Sequence, residues 1–115
     1  MKSVLLLRRN HSLDIQTITL EDGHTTFGRY DNSDISLGEP SVSRDHGAFY
    51  QRFNLLMVED HGSRNGTTVN GEPIKRKVLY ANDVIDIGPF QIFVREGTLR
   101  PDEPEASASQ FAPLD

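Results

Sequence analysis

Cysteine is absent from this 115-residue chain. Its absence excludes a disulfide framework, a thiolate zinc site and a cysteine nucleophile, and it suits a reducing, cytoplasmic setting. Long hydrophobic runs are also missing. Stretches such as Val4 to Leu7 fall far short of the ~20 residues of a membrane helix, and no small-residue cleavage site follows them. A basic excess is lacking as well, with 12 Lys+Arg against 17 Asp+Glu and a formal net charge of -5. Such a chain has no general field for polyanions, so bulk nucleic-acid binding is disfavoured. What remains is the composition of an ordinary soluble protein, 36% hydrophobic and 25% charged. The length suits one domain and one core of the usual ~100 to 150 residues.

The charge is uneven along the chain. Residues 1–97 carry 11 Lys+Arg and 13 Asp+Glu, whereas residues 98–115 carry 1 and 4 and include three prolines, two serines and three alanines. The reading is a folded domain over 1–97 and an acidic, disordered tail over 98–115. Within the body, helical periodicity is missing and short apolar segments alternate with Gly, Asn and Asp. Strands are expected at Ser3 to Arg8, Leu13 to Leu20, Thr25 to Phe27, Ile35 to Leu37, Gly47 to Arg52, Leu55 to Glu59, Thr67 to Val69, Val84 to Ile87 and Gln91 to Val94. Val84, Ile85 and Ile87, then Ile92, Phe93 and Val94, are β-branched or aromatic, which favours strand over helix. In the second segment Leu13, Ile15, Thr17 and Thr19 fall on one face, with Asp14, Gln16, Ile18 and Leu20 on the other. Asn70 and Gly71 tolerate positive φ and are expected to form a two-residue hairpin turn before Pro73 and Ile74. Many short strands without a long amphipathic helix predict an antiparallel sandwich or barrel.

Three polar clusters fall in the predicted turns, where recognition residues usually sit. The first is Gly28 and Arg29, a permissive residue followed by a permanently charged fork. Its bland alternative is an ion pair of Arg29 with Asp31 or Asp34. The second runs from Ser41 through Ser43, Arg44 and Asp45 to His46. A nucleophile–base pair of Ser43 and His46 is disfavoured, because no orienting acid, strained elbow or oxyanion loop accompanies it. The third is Gly62 to Thr67, with Arg64 and Asn65 able to flank an extended peptide, followed by Asn70 and Gly71. His11, His24, His46 and His61 are scattered without the short spacing of a zinc site, so no metal and no cofactor are expected.

Taken in order, these pieces resemble the forkhead-associated (FHA) domain family. The resemblance rests on Phe27-Gly28-Arg29, Ser33-Asp34-Ile35-Ser36-Leu37, Val42-Ser43-Arg44-Asp45-His46, Ser63 to Gly71, and Asn82-Asp83-Val84-Ile85 with Gly88, and it covers roughly residues 3–97. It implies an all-β sandwich of about eleven mostly antiparallel strands in two sheets. It also implies a non-enzymatic module that recognises phosphothreonine peptides of a Ser/Thr kinase or its substrate. By position, Arg29 and Ser43 would contact the phosphate with help from Arg44, Asn65 would bond the peptide main chain, and Arg64 would flank the residues after the phosphothreonine. Gly28, His46, Gly66, Asn70 and Gly71 would shape and lock the loops. Asn82 stands where many members have glycine, and Asn also tolerates the left-handed region. The other reading of the same fold is a phosphate-independent scaffold or a self-assembling domain. Nucleic acid and membrane are not expected partners.

Overall fold

A computed structural model of the chain describes residues 2–99. The eleven strands, in chain order, are β1 (Ser3–Arg9), β2 (Gln16–Leu20), β3 (Gly23–Gly28), β4 (Ile35–Ser36), β5 (Gly47–Arg52), β6 (Leu55–Asp60), β7 (Thr68–Val69), β8 (Glu72–Pro73), β9 (Arg76–Val78), β10 (Val84–Ile87) and β11 (Phe90–Glu96). They form a six-stranded sheet, β2-β1-β11-β10-β7-β8, and a five-stranded sheet, β4-β3-β5-β6-β9. The chain is therefore an all-β sandwich, and β3 with β4 is the one parallel pair among its eleven strands, with an isolated parallel bridge between Tyr80 and Thr98. No helix of the described residues is long and apolar enough to cross a membrane.

Alternation builds the core. Leu5 and Leu7 of β1, Phe27 of β3, Phe49 of β5, Leu56 and Val58 of β6, Ile85 and Ile87 of β10, and Ile92 and Val94 of β11 all point between the sheets and are buried. Each lies next to an outward residue and two positions from the next inward one, as the pleat requires. The ring centroids of Phe27 and Phe49 lie 5.1 Å apart, within the favourable range for aromatic pairs.

The second strand departs from its sequence pattern. It begins at Gln16, where pairing with Leu7 starts, and Leu13 is 94% exposed in the preceding loop. His11 at φ 65 and the Asp14 N–H bond to Ser12 Oγ turn that loop. Gln16, Ile18 and Leu20 share the face of Leu7, Leu5 and Ser3, so the set with Ile18 faces inward and Thr17 and Thr19 face out. The strand β9 escapes sequence reading because Arg76 and Lys77 carry no apolar alternation. Charge is nevertheless a common feature of edge strands, where it blocks unwanted pairing. The Asn70-Gly71 hairpin forms as expected, with φ of 52 and 85 between paired Val69 and Glu72. Both positive values match the turn whose twist suits a two-residue hairpin.

Antiparallel order places the site. Because β3 ends, β5 starts and β6 ends at the same edge of the five-stranded sheet, the loops 29–34, 37–46 and 61–67 meet there. Gly47 sits opposite both Phe27 and Asp60, and a Cβ at that point would overlap the Glu59 carbonyl and the Phe27 ring. Glycine is thus what lets the three strands close up beneath the loops. The predicted tail lies outside the described residues from position 100. Thr98 itself is held to the body, its hydroxyl accepting from the Leu56 N–H at 2.7 Å and its N–H donating to Leu79.

Candidate functional site

The β3–β5 ladder continues past the strands and brings the first two clusters together. The His46 N–H donates to the Phe27 carbonyl at 3.1 Å, and the Arg29 N–H donates to the Ser43 carbonyl at 2.9 Å. Between them Gly28 passes so close that a Cβ would overlap the Arg44 carbonyl oxygen. No other residue type fits that crossing, which is the physical reason for glycine before Arg29. On the other side the Leu37 N–H donates to the Gly28 carbonyl at 2.7 Å. Arg29 and Ser43 therefore leave the sheet as neighbours.

The third cluster is tied to the second through His46, which is fully buried. Its Nδ1 accepts from the Ser43 N–H at 3.1 Å, so the ring proton sits on Nε2 and donates to the Gly66 carbonyl at 2.9 Å. One neutral tautomer satisfies both loops. This geometry also removes the nucleophile–base reading, since His46 meets the backbone of Ser43 and not its hydroxyl. Beneath it, Asp60 accepts from the Ser63 N–H at 2.7 Å, the Ser63 hydroxyl at 2.6 Å and the Thr67 hydroxyl at 2.7 Å. Burial alone would raise the Asp60 carboxyl. The hydrogen bonds from Ser63 and Thr67 outweigh it and hold the group below the usual Asp range. Gly66, at φ 83, completes this turn by donating its N–H to Ser63 Oγ at 2.9 Å. The sequence reading missed Asp60. Its signal was the three-residue spacing to Ser63, an acid accepting from the backbone and hydroxyl just beyond it.

Two further bonds fix the tip of the third loop over the second. The Arg64 N–H donates to Ser43 Oγ at 3.0 Å, and the Asn65 side-chain amide donates to the Ser41 carbonyl at 2.8 Å. The Ser43 hydroxyl hydrogen and the Asn65 amide oxygen keep their capacity for another molecule. Behind Ser41 stands the β10–β11 turn, where a Cβ on Gly88 would come within 2.8 Å of Ser41 Oγ. Asn70 and Gly71 lie one hairpin further away. Asn70 accepts from the Val84 N–H at 2.9 Å and donates to Asp83 at 3.0 Å, bracing β7 against β10.

Arg29, Ser43, Arg44, Arg64 and Asn65, the five residues expected to bind, together line one open hollow of about 270 Å³. No carboxylate lines it. Arg29 donates its Nε to the Val42 carbonyl at 3.0 Å, which aims the fork while leaving its terminal amino groups available. The expected alternative, a pair of Arg29 with Asp31 or Asp34, does not form: Asp34 instead accepts from the N–H and hydroxyl of Thr26 at 2.9 and 3.2 Å. Among the described residues the ion pairs involve none of Arg29, Arg44 and Arg64. Three unpaired guanidiniums and a donor-ready hydroxyl around one small hollow make a receptor for a compact, multiply charged oxyanion. No cluster of His, Asp or Glu among the described residues has the form of a metal site.

An eleven-stranded, two-sheet sandwich whose loops make such a receptor at one end defines the class of FHA-type interaction modules. The FHA domain profile matches residues 25–88, and the chain belongs to that family. Among curated proteins, the chain is 44% identical over 73 residues to the oxoglutarate dehydrogenase inhibitor of Corynebacterium diphtheriae, covering 64% of this chain and 51% of that one. It is 41% identical over 78 residues to the glycogen accumulation regulator GarA of Mycobacterium tuberculosis, covering 68% and 48%. The chain thus spans about half the length of the curated relatives it matches. These relatives are named as an inhibitor and a regulator, and the family is one of interaction modules rather than enzymes. Among solved structures, an FHA domain studied for phosphothreonine-dependent interactions superposes with a TM-score of 0.73 at 30% identity, covering 84% of this chain and 99% of that one. The EmbR protein of Mycobacterium tuberculosis, solved with a low-affinity phosphopeptide, gives 0.72 at 25% identity, covering 85% and 26%.

Proposed function

We propose that this chain is a non-enzymatic module that binds phosphothreonine peptides and so mediates phosphorylation-dependent protein contacts in cytoplasmic Ser/Thr kinase signalling. The observation that carries the reading is the hollow itself, where three unpaired arginines and Ser43 converge with no acid among them. A phosphate monoester near neutral pH brings close to two negative charges and several strong acceptors, the complement of that set. Arg29 and Ser43 hold the phosphate, Arg44 adds charge at its flank, Asn65 bonds the peptide main chain, and Arg64 meets residues following the phosphothreonine. Gly28, His46, Gly66, Asn70 and Gly71 keep the loops in place. The binding unit is residues 1–97, with 98–115 appended to it.

Partners are a phosphorylated kinase or its phosphorylated substrate, as the solved relatives' phosphopeptide complex suggests by likeness. Affinity is moderate, because each charge-assisted hydrogen bond contributes ~1.5 to 3 kcal/mol and part is offset by desolvating arginine and ordering the peptide. Threonine is favoured over serine by burial of one methyl group, worth ~1 kcal/mol. The test is binding to an oriented peptide library in phosphothreonine, phosphoserine and unphosphorylated forms. Selective retention of the phosphothreonine set is expected. Equal retention of all three would overturn the reading in favour of a phosphate-independent scaffold.

A further inference from the structure

The outer face of the five-stranded sheet is not flat. A hollow of about 460 Å³ lies beside the anion site and shares Arg44 with it; its other walls include Tyr30, Ala48, Tyr50 and His61. A third hollow of about 600 Å³ continues from there, sharing His24 and Tyr50 and ending at Arg52 and Phe53. The register explains the trough. His24 lies opposite Tyr50 and Thr26 opposite Ala48, all on the outward face, and Ala48, the smallest side chain in that row, is buried beneath its neighbours at the floor of the trough. The His24 and Tyr50 rings, with centroids 6.1 Å apart, form one wall. Tyr50 is held in place by its hydroxyl donating to Glu59 at 3.1 Å.

Two aromatic side chains mark the rims. Tyr30 is 49% exposed at the anion-site end and Phe53 is 75% exposed at the far end. Phe53 also carries a φ of 56 at the tip of the β5–β6 hairpin, a conformation bulky residues seldom adopt. A strained, solvent-facing aromatic at the end of a trough points to contact with another molecule, since strain of that sort persists where function uses it.

We infer that the trough holds the stretch of the phosphorylated partner that continues from its phosphothreonine, running extended from Arg44 to Phe53, with an aromatic or large aliphatic side chain seated over Ala48. The inference rests on the phosphothreonine reading, because the occupant reaches the trough through the anion site. Continuity through Arg44 selects this occupant over an unrelated partner. The size agrees: the trough follows the six residues of β5, and an extended segment rising ~3.3 Å per residue spans it with about the same number. The walls carry Arg44 and Arg52 but also Asp22 and Asp45, so the trough selects by shape and not by net charge.

The test uses phosphothreonine peptides of 21 residues randomised one position at a time, alongside seven-residue peptides with the same core. Selection for aromatic or large aliphatic residues is expected four to eight positions from the phosphothreonine, on one side of it only. Ala48→Gln fills the floor and should weaken the best long peptide about tenfold while leaving its seven-residue core unchanged. Phe53→Asn, an exposed change that suits positive φ, should weaken the long peptide about threefold by the same measure, and it guards against a folding failure of the first variant. Flat selection beyond three residues, with phosphate dependence intact, overturns the trough and leaves the module reading standing. Loss of phosphate dependence in every peptide overturns both.

Discussion

Replacing Arg29 with alanine separates recognition from folding more cleanly than any other single change. Its backbone N–H stays bonded to the Ser43 carbonyl, so the loop path survives the substitution. What disappears is the Nε bond to the Val42 carbonyl at 3.0 Å and the guanidinium that this bond aims at the hollow. Two charge-assisted bonds to phosphate, less the cost of desolvating the fork, amount to about 3 kcal/mol, or about a hundredfold in Kd. The stability cost is that of one hydrogen bond from an exposed residue, about 0.5 to 1 kcal/mol, which for a body of this size lowers Tm by about 2 to 8 °C.

The assay is fluorescence anisotropy with a labelled phosphothreonine peptide, run beside thermal unfolding of the same samples. Arg29→Lys should fall between parent and alanine, since an ammonium restores charge without the planar fork or its Nε anchor. If Arg29→Ala binds within threefold of the parent, the phosphate does not sit at this guanidinium. If Tm collapses instead, the residue is structural and the convergence of forks is incidental.

Other perturbations probe the frame beneath the site. Gly28→Ala forces a Cβ into the Arg44 carbonyl and should destabilise the fold by about 1 to 3 kcal/mol or more, read as a lower urea midpoint. Asn70→Ala loses the bonds to Val84 and Asp83 and a residue suited to φ 52, and should cost about 1 to 3 kcal/mol in chemical unfolding with little change in the affinity of properly folded protein. Asp60 has a depressed folded-state pKa, so the unfolded chain binds its proton first as pH falls. Its contribution is full above about pH 4, the unfolded value, and is lost as pH drops through the lower folded value. Urea midpoints from pH 6 to pH 2.5 should fall in the parent and fall less steeply in Asp60→Asn. The remaining slope includes Glu59, depressed by hydrogen bonds from Arg76 and Tyr50. An equal slope in both proteins would show that Asp60 is not the group being titrated.

The elements that sequence reading found, and those it did not, differ in where their information lies. β5 and β10 came out with their limits, because the aromatic pair Phe49-Tyr50 of the first and the β-branched residues of the second are local properties of those segments. The loop residues of the site were readable because glycine at 28 and 66, asparagine at 70 and arginines at 29, 44 and 64 are types chosen for backbone freedom or charge, not for burial. β9 was not readable because an edge strand needs no apolar face. The start of β2 was not readable because pairing with Leu7 and the turn at His11, both set elsewhere in the chain, decide it. Asp60 fell just beyond the expected strand end at Glu59 and before the third cluster, and its role depends on His46, 14 positions away, meeting it under the loops. The trough is furthest from local reading, since residues of β3, β5 and the loop before β4 build it jointly.

Under the proposed function an acidic chain receives a dianion, which requires carboxylates kept away from the receptor, and five of those in the described residues are engaged by other partners. Asp60 is occupied by Ser63 and Thr67, Asp34 by Thr26, Glu59 by Tyr50 and Arg76, Asp45 by His61, and Glu39 by Arg9. None of these pairings consumes Arg29, Arg44 or Arg64. At physiological salt, charges more than ~8 Å apart are largely screened when exposed, so the field in the hollow follows its own lining and not the net charge of -5. The ties through His46 and Asp60 are then what make that lining useful. They are made inside the protein, so under the proposed function the three loops need not be gathered before a phosphate binds, and the ordering left to binding is that of the peptide and of the exposed Arg44 and Arg64 side chains.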